Sequence, residues 1–394
     1  MVPLLLAALG LAAALVLLAL RVPPVPTWFY VFAWYPTLVL LDGLASRLDG
    51  RPSLFARRGL AASLFGWSPL LWLVFEAFNF RLENWYYVGL PAAWWERWLG
   101  ITLSFATVLP AIVLAERLLH AAGLFRGRRC RPLTVRPRDL MGSVAIGLAA
   151  LAAVLLWPDM FFPLVWGVGF ALAEPLVYAR MPALSLVRDL ERGEWGRIGR
   201  LLVGGGLIGL LWESYNFLAD GSWIYTVPGL EDLKLFEMPP FGYVGFPVFA
   251  LEAWAMYAAL CTLGVAVPVT GNAAPPRPRR VVPAALATLA FGILTLAGME
   301  RYTISSTVAS ADELDALDAA TADLARLRRM GTDHARILVA LGVADTCALA
   351  DQDPAALARA ARERTGGHRP TVAEARVWIR AAAERCEGGV REPA

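Results

Sequence analysis

Histidine, lysine and clusters of metal-binding side chains are scarce in this sequence of 394 residues. The three histidines, His120, His334 and His368, lie far apart, and Lys234 is the only lysine. A metal site or a Ser-His-Asp triad needs such side chains close together. The apolar part of the chain also has no glycine-rich phosphate loop. These absences argue against a hydrolase, a kinase and a haem enzyme, and we expect neither a metal nor another cofactor.

Cysteine is also rare. The four cysteines, Cys130, Cys261, Cys347 and Cys386, form no Cys-x-x-Cys motif and have no histidine at ligand spacing. The sequence therefore indicates neither a zinc site nor a disulfide framework. Pairing of Cys347 with Cys386 stays open as an alternative if the C-terminal part lies in an oxidising compartment.

Charged residues make up 18% of the chain and hydrophobic residues 58%, whereas soluble domains carry about 25% charged residues. A helix needs about 20 apolar residues to cross a membrane, and nine stretches qualify. They are residues 3–20, 28–45, 59–78, 98–119, 140–157, 161–179, 201–217, 241–267 and 281–298. The first stretch has no basic segment before it and no Ala-x-Ala site, so we expect an uncleaved helix. The predicted fold is an all-α, polytopic membrane helix bundle.

The arginines between these stretches are distributed unequally. Nineteen arginines lie in alternate loops, within residues 47–58, 117–138, 180–200 and 277–280, and the other loops hold five basic residues. The positive-inside rule assigns the arginine-rich loops to the cytoplasm. We therefore expect a multi-pass protein of the bacterial inner membrane, with a cytoplasmic N-terminus and the segment after the ninth helix outside.

Two parts of the apolar region share an order of polar and aromatic residues. In each part a Trp precedes an acid by eight residues, and a Glu and an Asn then precede a Trp-x-Tyr turn. The corresponding pairs are Trp34 and Trp166, Asp42 and Glu174, Glu76 and Glu213, Asn79 and Asn216, Trp85 and Trp223, Tyr87 and Tyr225, Pro91 and Pro228, Pro110 and Pro247, and Glu116 and Glu252. The pattern predicts two three-helix units of one orientation, related by a pseudo-two-fold axis along the membrane normal. The alternative is a chance similarity between aromatic-rich helices.

These features divide the chain into six parts. They are a first transmembrane helix (1–26), unit one (27–120), a basic cytoplasmic loop with the fifth helix (121–160), unit two (161–268), a linker with the ninth helix (269–304) and a soluble helical domain (305–394).

The soluble domain is rich in helix-start signals. They are the capping boxes Ser310-x-x-Glu313 and Thr371-x-x-Glu374, and the pair Asp353 and Pro354. Together with the charge pattern they predict helices near 311–329, 333–341, 354–363 and 372–385.

Residues 327–335, 341–343, 349–350, 353–354 and 377–379 resemble a helix-hairpin-helix domain. The hairpin of that family carries Gly-x-Gly, and here Arg329 replaces the first glycine. Residues 311–394 hold twelve Arg and fourteen acidic residues, whereas DNA-binding domains present a basic face. We therefore expect a packing or protein-interaction domain and no binding of nucleic acid.

Ionisable side chains inside membrane helices are costly and are functional candidates. Asp42 and Glu116 lie beside Arg47 and Arg117 at predicted cytoplasmic helix ends, which favours a structural role. Glu213, which ends helix seven, and Glu237, expected where helix eight begins, are the candidate catalytic acids. The candidate ligand-binding residues are Asn216, Trp223, Tyr225 and Tyr243 of unit two and Glu76, Asn79 and Trp85 of unit one.

Unit two contains, in this order, Trp-Glu-x-x-Asn, Trp-x-Tyr and residues 236–246, in which Glu237 stands before Pro239. This order resembles an uncharacterised family of bacterial membrane proteins. It is similar, more distantly, to the membrane lycopene cyclases and carotenoid hydratases. That resemblance implies a polyprenyl ligand and an acid that protonates a double bond. Those cyclases carry Pro-x-Glu-Glu, whereas here a single acid precedes Pro239, which favours binding over cyclisation.

Two hypotheses follow from the sequence. The first is a protein that binds or modifies a membrane lipid or isoprenoid in a pocket of carboxylates and aromatic rings in the outer leaflet. The second is a non-enzymatic scaffold or complex subunit whose residues 305–394 dock a partner protein. Transport is less favoured, because the acids lie near the two surfaces instead of at the midplane.

Overall fold

The apolar stretches fold into helices, as their composition predicts. The computed structural model describes residues 2–226, 234–270, 278–307, 316–327, 330–365 and 370–388, and 73% of the structure is helical. The elements of the apolar part are α1 (Val2–Ala19), α2 (Val25–Asp49), α3 (Arg58–Leu82), β1 (Trp85–Val88), α4 (Trp94–Phe105), α5 (Val108–Ala121), α6 (Pro137–Leu156), α7 (Pro158–Phe161), α8 (Val165–Arg180), α9 (Leu186–Glu191), α10 (Gly196–Leu218), β2 (Ser222–Tyr225), α11 (Gly245–Thr262) and α12 (Pro278–Tyr302).

Nine helical segments of the described residues are long and apolar enough to cross a membrane. They coincide with the nine stretches predicted from the sequence. Such a set is compatible with a multi-pass membrane protein. Pro137–Leu156 and Arg279–Tyr302 are among the least buried of these segments, with 11% and 17% of their apolar windows buried.

The fourth apolar segment is broken between α4 and α5. Pro110 has no N–H for the carbonyl of Ala106, four residues earlier, so helical hydrogen bonding is interrupted there. Ser68 of α3 fills the gap, because its Oγ donates to the Phe105 carbonyl (2.5 Å) and accepts from the Leu109 N–H (3.0 Å). A side chain from a neighbouring helix therefore satisfies the backbone at this break.

The sixth and eighth segments each contain a short 3-10 helix before their main α-helix. The 3-10 helix Phe162–Leu164 precedes α8, and the 3-10 helix Pro240–Val244 precedes α11. The eighth helix also ends earlier than predicted, at Thr262, where Gly264 adopts φ +74°. Only glycine takes this backbone conformation without steric cost, so the helix stops there.

Alternate loops meet at opposite ends of the bundle. At the end that holds β1 and β2, called the strand end, Arg21 binds Asp220 at 2.8 Å and Arg97 binds Glu300 at 2.7 Å. These contacts bring together loops that are distant in sequence.

The opposite end, called the arginine end, is held by a second group of ion pairs. Arg117 binds both Asp42 and Asp49 at 3.0 Å, and Arg200 binds Glu116 at 2.8 Å. Asp42 also accepts from the Leu54 N–H. The structural role expected for Asp42 and Glu116 is confirmed, although Glu116 pairs with Arg200 and not with Arg117.

The two predicted Trp-Tyr turns are strands, which corrects the all-α prediction. β1 and β2 pair antiparallel, with Trp85 opposite Tyr225 and Tyr87 opposite Trp223. Residues 303–307 run parallel to β1, because Tyr87 bridges to Ile304 and Leu90 to Thr307. The pairing joins segments more than 130 residues apart, so no local pattern could have revealed it.

The C-terminal part folds around its own core. Its described helices are α13 (Ala319–Ala325), α14 (Thr332–Ala340), α15 (Thr346–Ala350), α16 (Pro354–Thr365) and α17 (Val372–Gly388). Leu324, Met330 and Trp378 are buried at its centre. Cys347 of α15 and Cys386 of α17 form a disulfide, with their Cα atoms 5.5 Å apart. The pairing of these two cysteines, which the sequence left open, is therefore present in the structure.

The helix starts of this part agree only partly with the prediction. The box of Thr371 and Glu374 is confirmed by two reciprocal hydrogen bonds, and Asp353 caps α16 through the Ala356 N–H. Of the predicted helix near 311–329, the structure describes residues 316–327, where a helix covers Ala319–Ala325 and Asp318 caps it. Helix α15 was not predicted. Ser310, Glu313 and Arg329 lie outside the described residues.

The C-terminal part sits on the strand end. Tyr86, Val88 and Ile224 point to one face of the strand pair, and Val377 of α17 packs against them. Because side chains alternate along a strand, Trp85, Tyr87, Trp223 and Tyr225 point to the other face. The strand pair therefore separates the C-terminal part from the interior of the bundle.

Candidate functional site

Two glutamates end long helices at the strand end. Glu76 of α3 and Glu213 of α10 are both buried, and each has an asparagine three residues later on the same helix face. In the structure the asparagines bind the backbone of the strands.

Asn79 and Asn216 make equivalent contacts. The amide of Asn79 donates to the Trp85 carbonyl (2.7 Å) and its oxygen accepts from the Asn84 N–H (2.9 Å). The amide of Asn216 donates to the Trp223 carbonyl (2.9 Å) and accepts from the Trp223 N–H (2.8 Å). Each asparagine thus fixes one strand to the end of its helix.

Glu76 accepts hydrogen bonds from three aromatic side chains. Its Oε1 accepts from Tyr87 Oη (2.5 Å), Trp72 Nε1 (2.9 Å) and Trp85 Nε1 (3.1 Å). Glu213 is bound less fully, because its Oε1 accepts from Tyr225 Oη at 3.0 Å. The Oε2 atoms of both glutamates are buried and make no hydrogen bond within the described residues.

The phenols of the two strands remain hydrogen-bond donors. Burial raises the pKa of Tyr87 and of Tyr225 well above the ordinary value of tyrosine, and the neighbouring Glu76 and Glu213 add to the shift. A phenol with a raised pKa keeps its proton at physiological pH. The strand tyrosines therefore bind the glutamates as neutral donors.

A cavity of about 430 Å³ lies on the inner face of the strand pair. This volume is in the range of small-molecule sites. Fourteen of its 29 lining residues are aromatic, which makes the surface predominantly apolar. The rings come from both halves of the chain and include Trp28, Tyr30, Trp72, Trp85, Trp166, Trp212, Trp223, Tyr225 and Phe249.

The rings around the cavity pack against one another. Phe75, behind the lining, stacks on Trp166 at 5.2 Å between ring centroids and meets Phe249 edge to face at 5.3 Å. Trp72 meets Phe249 at 5.4 Å. Edge-to-face contacts of this kind stabilise aromatic clusters beyond their burial, so the cavity has a well-packed aromatic wall.

The structure brings only some of the predicted site residues to this cavity. Trp85, Trp223 and Tyr225 line it. Glu76, Asn79, Glu213 and Asn216 are not among the lining residues and support those that are. Tyr243 is not among them either, and its hydroxyl donates to the Leu235 carbonyl at 2.8 Å.

Glu237 does not open a helix, which corrects the sequence interpretation. It is buried in a turn in which Leu235 and Met238 exchange backbone hydrogen bonds, before the 3-10 helix Pro240–Val244. It does not line the cavity.

Several lining residues were missed at the sequence level. Trp28, Tyr30, Trp72 and Phe249 belong to apolar stretches in which aromatic residues face either lipid or interior, and the sequence alone does not distinguish the two. Trp166 had a signal, because the repeat pattern singled it out, but that pattern did not assign it to a site.

The other buried acids join helices away from the cavity. Glu174 accepts from Ser185 Oγ (2.5 Å) and from the Val187 N–H (2.9 Å), and Glu252 of α11 accepts from the Gly169 N–H of α8 (2.5 Å). None of these acids lies among the residues that line the cavity.

Comparison with known proteins finds a match for the C-terminal part. Residues 297–385 match a domain of unknown function, DUF4332. The match begins inside α12 and includes the segment that runs beside β1. No curated protein and no solved structure matches the chain. The resemblances to the carotenoid enzymes and to the helix-hairpin-helix domain therefore stay predictions.

Proposed function

We propose that this chain is a multi-pass membrane protein that binds a lipid or isoprenoid in the aromatic cavity at the strand end. The observation that carries the proposal is the cavity itself, which is sized for a small molecule, walled by aromatic rings and formed by helices apolar enough to cross a membrane. Cavities of this composition favour apolar ligands.

The proposed orientation places the arginine end in the cytoplasm and the strand end outside. The unequal arginine distribution supports it. The disulfide between Cys347 and Cys386 also supports it, because disulfides persist in oxidising compartments outside the cytoplasm. Cys130, in a loop of the arginine-rich group, is a free thiol.

We also propose that the bundle contains two copies of a three-helix unit. The strand register supports this relation, because a two-fold axis exchanges Trp85 with Trp223 and Tyr87 with Tyr225, and the observed pairing is the one it requires. Asn79 and Asn216 make equivalent contacts. The cavity would then lie between the two units.

The positions of the acids favour binding over acid catalysis. Glu213 and Glu237 do not line the cavity, and Glu213 binds Tyr225, which does. A general acid must come within hydrogen-bond distance of the atom that it protonates. In the proposed function Glu76 and Glu213 therefore orient the aromatic side chains that contact the ligand.

The experiment is to measure the lipid that copurifies with the protein in native nanodiscs. A Cβ at Gly245, which lines the cavity, meets only the Trp166 ring, at 3.8 Å, so Gly245→Leu places a side chain against the cavity wall. We expect at least a fivefold loss of bound lipid, measured by mass spectrometry. The matched control is Gly167→Leu on α8, where a Cβ meets nothing within 4 Å.

The control should retain the wild-type amount of lipid. A monodisperse Gly245→Leu protein that carries the same lipid in the same amount would contradict the proposal.

Partner docking by residues 305–394 is the second proposed function. It is supported by the separate core of this part and by its match to a domain family. Crosslinking in cells with wild-type protein and with a chain ending at Thr307 tests it, and a crosslinked protein lost only from the shorter chain is the expected result. Identical crosslinked products from both chains would refute it.

A further inference from the structure

The residues that line the cavity carry no charge. Among the described lining residues there is no Asp, Glu, Lys, Arg or His. The polar lining residues are neutral, such as Thr27, Asn84 and Ser104. A charged ligand group placed among them would lose its hydration without gaining a partner, which costs several kcal/mol.

Carboxyl groups behind the wall bind the polar edges of the lining rings. Trp28 donates its ring N–H to Glu96 at 3.0 Å. Trp72, Trp85 and Tyr87 all donate to Glu76.

Tyr225 is held in the same way by Glu213. None of these carboxyl groups belongs to the described residues that line the cavity. Each hydrogen bond therefore occupies a polar atom of a lining ring with a partner outside the lining, which lowers the number of free polar atoms in the cavity wall.

The nearby lysine does not change this conclusion. The ammonium of Lys234 donates to the Tyr225 carbonyl at 3.0 Å and lies outside the set of lining residues. Neither sign of charge is therefore presented to the cavity by the described residues.

Part of the cavity wall is also part of the outer surface of the bundle. Phe241 and Val244 line the cavity and are 72% and 64% exposed. Pro163 lines it from the neighbouring segment and is also exposed. All three residues belong to apolar segments that are candidates to cross the membrane, so the surface beside them would face hydrocarbon.

We propose that the ligand is an uncharged, chain-like lipid that enters the cavity from the surrounding membrane beside Phe241 and Val244. This inference rests on the proposed lipid-binding function and specifies its ligand class. A hydrocarbon chain matches the aromatic wall, and a neutral polar group needs no charged partner among the described lining residues.

The test compares three ligands that share one chain. Hexadecan-1-ol, hexadecanoate and hexadecyltrimethylammonium are added at equal mole fraction to nanodiscs containing the full-length protein. Retained ligand per protein is measured by mass spectrometry after reisolation, and the value for Gly245→Leu is subtracted as the cavity-independent background. We expect at least tenfold more cavity-dependent retention of the alcohol than of either charged ligand.

The entry route has its own variant. Val244→Trp should slow uptake of the alcohol at least threefold, whereas Val203→Trp, at an exposed position of α10 outside the cavity, should not. Equal uptake rates in the two variants would overturn the entry route.

The remaining outcomes separate this inference from the proposed function. Retention of either charged ligand at the level of the alcohol would overturn the inference and leave lipid binding in place. If Gly245→Leu lowers the amount of copurified lipid but not the retention of hexadecan-1-ol, the inference that the ligand is a chain-like lipid is overturned. If neither depends on Gly245, both the inference and the proposed function fail.

Discussion

Glu and Asn three residues apart perform different tasks at the ends of α3 and α10. The sequence correctly marked Glu76, Asn79, Glu213 and Asn216 as polar residues that need partners in an apolar setting. It could not identify those partners, because the strands that the asparagines bind form only by long-range pairing. The pattern therefore marked residues that hold the strands beside the candidate cavity, but it did not reveal the contacts that they make.

The first prediction concerns Asn216. Asn216→Ala leaves the Trp223 N–H and C=O without their side-chain partner, and each unpaired buried group costs about 1–3 kcal/mol. We expect the free energy of unfolding in detergent to fall by about 2 kcal/mol or more. Ser214→Ala on the same helix removes a bond to its own helix backbone and serves as the control. Equal effects of the two substitutions would show that β2 is not held by Asn216.

At the scale of elements, the long apolar helices were predictable from the sequence, whereas the breaks within them were not. All nine apolar stretches are helical. A run of about 20 apolar residues has the length that a membrane-spanning helix needs. The break between α4 and α5 depends on Ser68, which belongs to another helix. The strand pair likewise depends on residues from two halves of the chain.

The second prediction concerns the disulfide between α15 and α17. Its cysteines are 39 positions apart, and closing a loop of this length restricts the unfolded chain, which stabilises a fold by about 2–4 kcal/mol. We expect Cys347→Ser with Cys386→Ser to lower the stability of residues 316–388 by that amount, measured by pulse proteolysis of the full chain. Cys130→Ser is the matched control. Unchanged proteolysis of the double variant under oxidising conditions would exclude a stabilising disulfide.

At the scale of the whole molecule, the arginine pattern and the disulfide are two independent arguments for the proposed orientation. The first argument depends on the charges of the loops, whereas the second depends on the redox state of the compartment in which the disulfide persists. The sequence could not show that the C-terminal part covers the outer face of the strand pair, because Val377 meets Tyr86 only after both parts have folded.

The third prediction tests this orientation. An alkaline phosphatase fusion after Tyr302 should be active, because that position follows α12 at the strand end, and a fusion after Arg129 should be inactive. In intact cells, a thiol reagent that cannot cross the membrane should leave Cys130 unlabelled. Activity only in the Arg129 fusion would reverse the proposed orientation.

An experimental structure of the full chain in nanodiscs prepared from its native membrane tests the proposed lipid binding most directly. We expect elongated non-protein density in the cavity, between the strand side chains Trp85 and Tyr225 and the rings of Trp166 and Phe249, and continuous with the membrane beside Val244. A cavity closed by collapse of these rings onto one another, with no room for a ligand, would contradict it.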